Sequence, residues 1–333
     1  MSNAIAVEVQ QLPPMQESTG LLDDPAALAH QWEANGYWYF RDVLPLAAVE
    51  RFRAPVLDQL KAIDVVDARE QTPLWNGQSM ERFPKATHAG YEMFPGLSRS
   101  RRWRDFLASP AVESFFARVL GAKPQWVPVA ELRITPPGER VGESRFTYPH
   151  QDGFYNEGYR CLTAWLPLWP VSRIVGGLAV AQGMHRTGYL HDRNRPPRFP
   201  IPTEAIPAHC WRSADYLPGD VVIFDRHLPH SGLRNRSDRH FRVSFDVRCV
   251  LPGDAAPVVG VVEQSTAIDI VIRDEQGAVH RLALIDTSYC RATGAESGKR
   301  IDLVEVPRWY PPGTEVMATV CDGAVALLRE PKY

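Results

Sequence analysis

The sequence predicts a mainly β protein, with helices gathered near its N-terminus and a small β module at its end. Three observations carry that expectation. Apolar residues recur at helical spacing as far as Gly121. Beyond it the apolar runs are short, and one alternates residue by residue, Phe241, Val243, Phe245 and Val247 against Arg242, Ser244, Asp246 and Arg248. After Leu251-Pro252-Gly253-Asp254 the chain becomes a series of short alternating segments, with a hairpin signal at Asp274-Glu275-Gln276-Gly277.

Residues 1–20 lack periodicity and read as a flexible lead-in to a domain spanning 21–252. From Asp24 a helix carries Ala26, Leu28, Trp32 and Ala34 to a stop at Gly36. Tyr37-Trp38-Tyr39-Phe40 is a short aromatic strand. Leu44-Pro45 opens a second helix bearing Val49, Phe52, Val56, Leu57 and Leu60. Residues 67–98 are irregular, with Trp75, Met80, Phe83, Tyr91 and Phe94 among Gly and Pro, as in a packed loop or the wall of a site. Helices return at about 101–108 and 110–120. The strand Ala130–Thr135 puts Glu131, Arg133 and Thr135 on one face. Cys161–Pro170, with Trp165 and Trp169, reads as a buried strand, and Leu178-Ala179-Val180 as another after the Gly176-Gly177 turn. Residues 186–217 hold His191, Arg193, Arg195, Arg198, His209 and Trp211 in a Pro-rich connection long enough for a lid. Pro218-Gly219-Asp220 turns into the strand that leads to His230. Over 253–333, Val258–Val262, Ile268–Arg273, Val279–Leu284, Ile301–Val306, Val316–Cys321 and Val325–Arg329 are expected as strands of an antiparallel module.

A chain of 333 residues can bury a full core. Its net charge of −2 offers nothing that attracts nucleic acid or anionic lipid. It has no apolar run long enough for a membrane span and no charged-then-apolar secretion signal. The five cysteines are scattered, odd in number and without a Cys-x-x-Cys pair, as in a cytoplasmic protein with reduced thiols.

The chemistry is expected in Tyr148-Pro149-His150-Gln151-Asp152-Gly153-Phe154-Tyr155. On an extended segment His150 and Asp152 point the same way and offer an imidazole and a carboxylate to one metal ion. His230 is the best third ligand. Two histidines and one carboxylate with open positions suit non-haem Fe(II). His227, an odd offset from His230 on a regular strand, is read as a neighbour. Downstream, an arginine on the polar face of the 241–248 strand suits a bidentate carboxylate partner.

These residues resemble the phytanoyl-CoA dioxygenase-like family of Fe(II)/2-oxoglutarate oxygenases. The resemblance rests on His150-Gln151-Asp152, Thr163-Ala164-Trp165-Leu166-Pro167-Leu168, Gly176-Gly177-Leu178-Ala179-Val180, Gly183-Met184-His185, Pro218-Gly219-Asp220-Val221-Val222-Ile223-Phe224, His230, Asn235 and Arg242, in family order. It implies a double-stranded β-helix (jelly-roll) core with helices packed outside. It further implies iron on His150, Asp152 and His230, with 2-oxoglutarate and O2 as cosubstrates and ascorbate helpful in vitro. Arg242 would pair with the far carboxylate of 2-oxoglutarate, with Arg133, Thr135, Trp165 and Ser231 as further contacts and His185 structural. In the family that arginine usually lies about eleven residues beyond the distal histidine, whereas Arg242 lies twelve beyond His230, which makes Arg239 a rival. Because Asp152 occupies the place that halogenases leave vacant, hydroxylation, desaturation or cyclisation of a small molecule is implied, in secondary metabolism. A cupin-like metal-binding jelly-roll without 2-oxoglutarate chemistry is the alternative. The C-terminal module is expected to dock on the barrel or to mediate a homodimer.

Overall fold

Periodicity and fold agree in their broad order, helices before strands. The computed structural model describes residues 12–83, 94–98, 100–139, 148–156, 160–195, 199–296 and 299–331. The first helices are α1 (Pro25–Asn35), α2 (Leu46–Ala62), α3 (Pro95–Ser98), α4 (Arg102–Leu107) and α5 (Pro110–Leu120). Asp24 caps α1 by accepting the Ala27 N–H at 3.0 Å, with Pro25 in the first turn where its missing N–H costs nothing. Gly36 ends the helix at φ +76°, and a Cβ there would lie 2.5 Å from the His185 ring. His185 is therefore a packing residue against this turn, as its family position implies.

The helices cover one side of a sheet. Strands β1 (Tyr37–Phe40), β2 (Trp126–Thr135), β3 (Cys161–Pro167), β4 (Leu178–Ala181), β5 (Trp211–Ser213), β6 (Val221–Asp225), β7 (His230–Gly232) and β8 (Arg242–Val250) form two sheets. One has the order β1-β6-β3-β8-β2 and the other β5-β4-β7. Strand alternation separates two cores. Phe241, Val243, Phe245 and Val247 pack with Leu57, Leu60, Phe106 and Phe116 of the helices. Tyr37, Tyr39, Trp165, Val180, Tyr216 and Phe224 fill the space between the sheets. This is a jelly-roll core, and its interior face on β8 carries Arg242, Ser244, Asp246 and Arg248, all buried.

The C-terminal strands are β9 (Val258–Ser265), β10 (Asp269–Asp274), β11 (Val279–Ala283), β12 (Tyr289–Arg291), β13 (Arg300–Ile301), β14 (Glu315–Cys321) and β15 (Ala324–Arg329). A meander β9–β10–β11 is flanked by β14 on β9, β15 on β14, and a parallel contact of β11 with β15 closes the circle. With a helix before β14, this connectivity is that of an OB-type barrel. It has its own core of Val262, Ile270, Ile272, Val316, Val325 and Leu328. The barrel meets the jelly-roll through a second cluster in which Met317 and Leu327 cover Val127, Val129, Cys161 and Val250. Arg101 and Arg104 of the α4 end reach Glu275 and Glu315 across the same seam.

Several expectations change. Residues 12–20 are packed, not flexible: Leu12 and Met15 are buried, and Ser18 exchanges hydrogen bonds with the Tyr39 backbone. These apolar side chains find a seam beside β1 and β5 that no local pattern announces. Among its described residues the 186–217 connection contains β5 and two short 3-10 turns, Thr203–Ala205 and Ala208–Cys210. The expected strand 301–306 is mostly a turn leading into α7 (Val306–Trp309), because Asp302 and Glu305 form a capping box. The module is not wholly antiparallel, since β11 and β12 both run parallel to β15. Residues 1–11, Tyr91, Tyr159 and Arg198 lie outside the described residues. No described helix is long and apolar enough to cross a membrane.

Candidate metal centre

The two histidines are brought together by backbone pairing. His150 and His230 exchange N–H···O bonds of 2.9 Å in both directions, as residues of an antiparallel bridge do. Their rings lie 4.2 Å apart. Asp152 does not continue a strand, as the extended reading of His-x-Asp supposed. It opens the short helix α6 (Asp152–Tyr155), and this turn still carries its carboxylate to the rings. Asp152 Oδ1 lies 3.8 Å from His150 Nε2 and 3.7 Å from His230 Nε2. One donor atom of each of the three lies within 4.8 Å of the others, and all three side chains are buried.

Each donor is oriented from behind. His150 Nδ1 faces the Tyr148 carbonyl at 3.1 Å and His230 Nδ1 the Leu228 carbonyl at 3.0 Å. Carbonyls only accept, so both Nδ1 atoms carry the proton and both Nε2 lone pairs point into the cluster. Burial pushes the His150 imidazole down to about 3, helped by His230 beside it, and burial lowers His230 as well. Both are neutral, as ligands must be. For Asp152, burial favours the protonated form, but the Arg248 guanidinium, with a hydrogen bond from Thr163, outweighs it and holds the carboxyl well below the usual range. Its Oδ2 accepts from Thr163 Oγ1 at 2.6 Å and from Arg248 Nε and Nη2 at 3.2 and 2.8 Å. Oδ1 is left to face the histidines. The donor set fits a divalent metal with open positions.

Gln151, between the ligands, fastens the surrounding loops. Its amide donates to the Gly188 and His227 carbonyls at 2.7 and 2.6 Å and accepts the Leu190 N–H at 2.8 Å. His227 is a half-buried neighbour in the turn between β6 and β7, 3.2 Å from Asp225 and outside the cluster.

The inner face of β8 supplies the rest. In the β2–β8 register Thr135 lies opposite Arg242, Arg133 opposite Ser244 and Glu131 opposite Asp246. Arg242 donates to the Gly176 and Leu233 carbonyls at 2.7 and 2.9 Å and to Thr135 Oγ1 at 2.9 Å. Its Nε and the nearby Ser244 Oγ are buried and find no hydrogen-bond partner among the described residues. Burial, with Arg133 nearby, pushes this guanidinium down to about 10. Such a group fits the carboxylate of a cosubstrate. Arg239, the rival, is exposed and gives its Nε to the Trp75 carbonyl.

Other candidates are placed less directly. Arg133 is committed to Asp246 at 2.6 and 3.1 Å and to Glu131 at 2.8 Å. Trp165 lies opposite Asp246 on β3 and packs edge-on against Tyr216 at 4.9 Å. Ser231 follows His230 on β7, so its side chain takes the other face and donates to the Gly232 carbonyl. It is not brought to the site. Asn235 bridges the β7–β8 connection through the Thr135 and His240 carbonyls. Sequence reasoning missed Thr163 as a partner of Asp152, and it placed Arg248 on the right face without naming what it holds.

A sequence profile of the phytanoyl-CoA dioxygenase (PhyH) family matches residues 32–244. This chain belongs to that family. Two relatives support the assignment. A 1-deoxypentalenic acid 11-beta-hydroxylase of Streptomyces exfoliatus is 30% identical over 248 residues, 70% of this chain and 83% of its own. Its counterpart in Streptomyces arenae is 30% identical over 250 residues with the same coverage. A solved non-heme monooxygenase aligns with 68% of this chain and 78% of its own at 21% identity, with a TM-score of 0.45. As a member of the family the chain is an Fe(II)/2-oxoglutarate-type oxygenase, and His150, Asp152 and His230 are its plausible metal site. The OB-type barrel lies beyond the matched residues.

Proposed function

We propose that the enzyme hydroxylates an unactivated C–H bond of a small, largely apolar molecule, with His150, Asp152 and His230 holding iron and Arg242 with Thr135 anchoring the distal carboxylate of 2-oxoglutarate. The observation that carries this reading is the pairing of a buried His-Asp-His cluster with a buried arginine whose Nε is unsatisfied among the described residues. Iron held by these residues, with 2-oxoglutarate and O2, would supply the oxidising power by oxidative decarboxylation of 2-oxoglutarate to succinate and CO2. The chain's own part is orientation and exclusion of water. The Tyr148 and Leu228 carbonyls aim the imidazoles, and Arg248 with Thr163 restricts Asp152 to one free oxygen.

The substrate class rests on the walls. Tyr148 and Tyr155 lie 5.5 and 6.4 Å from the His150 ring. Phe154 stacks on His191 at 4.0 Å, and Arg193 covers its ring at 5.1 Å. An aromatic wall with a cation at its rim suits an apolar body bearing an acidic group, a class that includes the acid named for the two Streptomyces relatives. The five free cysteines support a cytoplasmic setting.

The test is incubation with Fe(II), 2-oxoglutarate, ascorbate and O2, reading succinate release and then a mass-spectrometric screen of apolar carboxylic acids for a gain of one oxygen. Succinate release that depends on His230 and Arg242 supports the reading. Tight metal uptake with no 2-oxoglutarate turnover under any substrate would leave the cupin-like alternative standing.

A further inference from the structure

The OB-type barrel lies outside the matched family residues, yet two of its arginines end on the turn that carries Asp152. Arg291 and Arg329 stand side by side on the paired parallel strands β12 and β15, where Cys290 lies opposite Leu328. Arg291 Nη2 donates to the Tyr155 carbonyl at 2.6 Å, the last residue of α6. Arg329 Nη1 lies 3.4 Å from Asn156 Oδ1. Asn156 in turn donates its Nδ2 to the Asp152 carbonyl at 2.8 Å, and both Asn156 and Arg329 are buried. A helix of four residues has little intrinsic stability, and its terminal carbonyls need donors from outside. Those donors come from the second barrel.

We propose that the C-terminal barrel is a positioning part of the metal centre, in which Arg291 and Arg329 hold the Asp152–Asn156 turn so that the Asp152 carboxylate and the Tyr155 ring face the histidines. The inference rests on the reading of His150, Asp152 and His230 as metal ligands and adds a set of supporting groups to it. The carboxylate of Asp152 is fixed by Arg248 and Thr163 of the jelly-roll, and its backbone by the barrel, so one ligand is gripped at both ends. Losing such supporting contacts typically weakens metal binding about tenfold or more. The rest of the seam has a different task. Arg101 and Arg104 bind Glu275 and Glu315 at its exposed edge, and these two partners lie outside the site.

The experiment is a Co(II) titration of the full chain, followed by the visible ligand-field spectrum and by calorimetric melting. Arg291→Ala combined with Arg329→Gln should weaken Co(II) binding about tenfold and shift the ligand-field bands. Asn156→Ala, which changes no residue of the barrel, should do the same and keeps the test valid if the double variant does not fold. Arg101→Ala with Arg104→Ala should leave both affinity and spectrum unchanged. Unaltered Co(II) affinity and spectrum in the Asn156 and arginine variants overturns the positioning role, and so does an equal loss in the Arg101/Arg104 control. An unaltered chain that takes up no Co(II) overturns the metal-site reading itself, a result that the variants cannot mimic.

Discussion

Replacing Arg248 by Met tests how the Asp152 carboxylate is held. Arg248 Nε and Nη2 lie 3.2 and 2.8 Å from Asp152 Oδ2, and both side chains are buried. Opposite charges about 3 Å apart at an effective dielectric of about 20 attract by roughly 5 kcal/mol. Truncating one partner of a buried pair costs about 3–5 kcal/mol, because the other charge remains without its partner. Asp246 is spared, since Arg133 still donates to it at 2.6 and 3.1 Å. The cost therefore falls on Asp152, and it falls on the metal-free chain. A divalent cation on Oδ1 would neutralise the same carboxylate and recover part of the loss. At about 2.1 cal/mol/K of unfolding entropy per residue, a chain of 333 residues shifts by roughly 1.4 °C per kcal/mol, so the metal-free Tm should fall by roughly 4–7 °C. The rise in Tm on adding Co(II) should be larger than in the unaltered chain. Calorimetry in EDTA and in Co(II) reads both, and Asp152→Asn in the Arg248→Met background should recover stability by removing the orphaned charge. A metal-free Tm lowered by less than about 2 °C, or a double variant no more stable than Arg248→Met, would refute this account of the pair.

Arg242→Gln should weaken 2-oxoglutarate binding by at least about thirtyfold, the lower end of the 2–5 kcal/mol cost of truncating a buried charged pair, while Arg239→Gln changes nothing; calorimetric titration in the presence of Co(II) decides, and the reverse order would show the wrong arginine was chosen. His191 is neutral and pushed down to about 4 by burial, accepting the Gln151 N–H on Nε2 at 3.1 Å. Its folded-state value lies below the unfolded one, so stability is present above about pH 6.5 and is lost as pH falls towards 4, by up to about 3 kcal/mol. His150 and His230 share that direction, so His191→Asn should flatten the acid limb of the Tm–pH curve only in part, and an unchanged limb would clear His191 of the effect. Ending the chain after Pro252 should expose Val127, Val129 and Val250, now covered by Met317 and Leu327, and a truncated chain that stays monomeric and soluble on size exclusion would contradict that packing.

The fold and the candidate metal cluster were legible wherever a local period or pair marked them. Strict alternation from Phe241 to Arg248 placed the inner and outer faces of β8 correctly, and His150, Asp152 and His230 converge as expected. Alternation names a face but not a partner, which is why Arg248 could be placed and its hold on Asp152 could not. The turn at Asp152 has no local signature, because α6 owes its place to Asn156, Arg291 and the neighbouring histidine bridge. The strand expected over 301–306 failed for a readable reason. Asp302 and Glu305 stand at the spacing of a capping box and Pro307 follows in the first helical turn, signals that outweigh the β propensity of Ile301, Val304 and Val306. The parallel closure of β11 on β15 is long-range and has no sequence signature at all.

The inner face of the jelly-roll also fixes how metal and cosubstrate depend on each other. Half-buried Glu131 and buried Arg133, Asp246, Arg248 and Asp152 form a chain of alternating charge, each within 2.6–2.9 Å of the next. Among the described residues Arg242 completes it, so three carboxylates face three guanidiniums and the two imidazoles are neutral. A dication alone or a dicarboxylate alone would bury two uncompensated charges there, whereas together they add none. Metal and 2-oxoglutarate should therefore strengthen each other's binding by the same factor, on the order of 5–150-fold for ordinary coupling energies. Direct coordination between the two would also couple them, and Arg242→Gln separates the causes. That variant makes the empty face net negative, so Co(II) alone should bind no more weakly, and by charge balance more tightly, while 2-oxoglutarate binds less well. Co(II) affinity that falls in Arg242→Gln would mean that the arginine supports the fold of the site and that charge balance does not govern its loading.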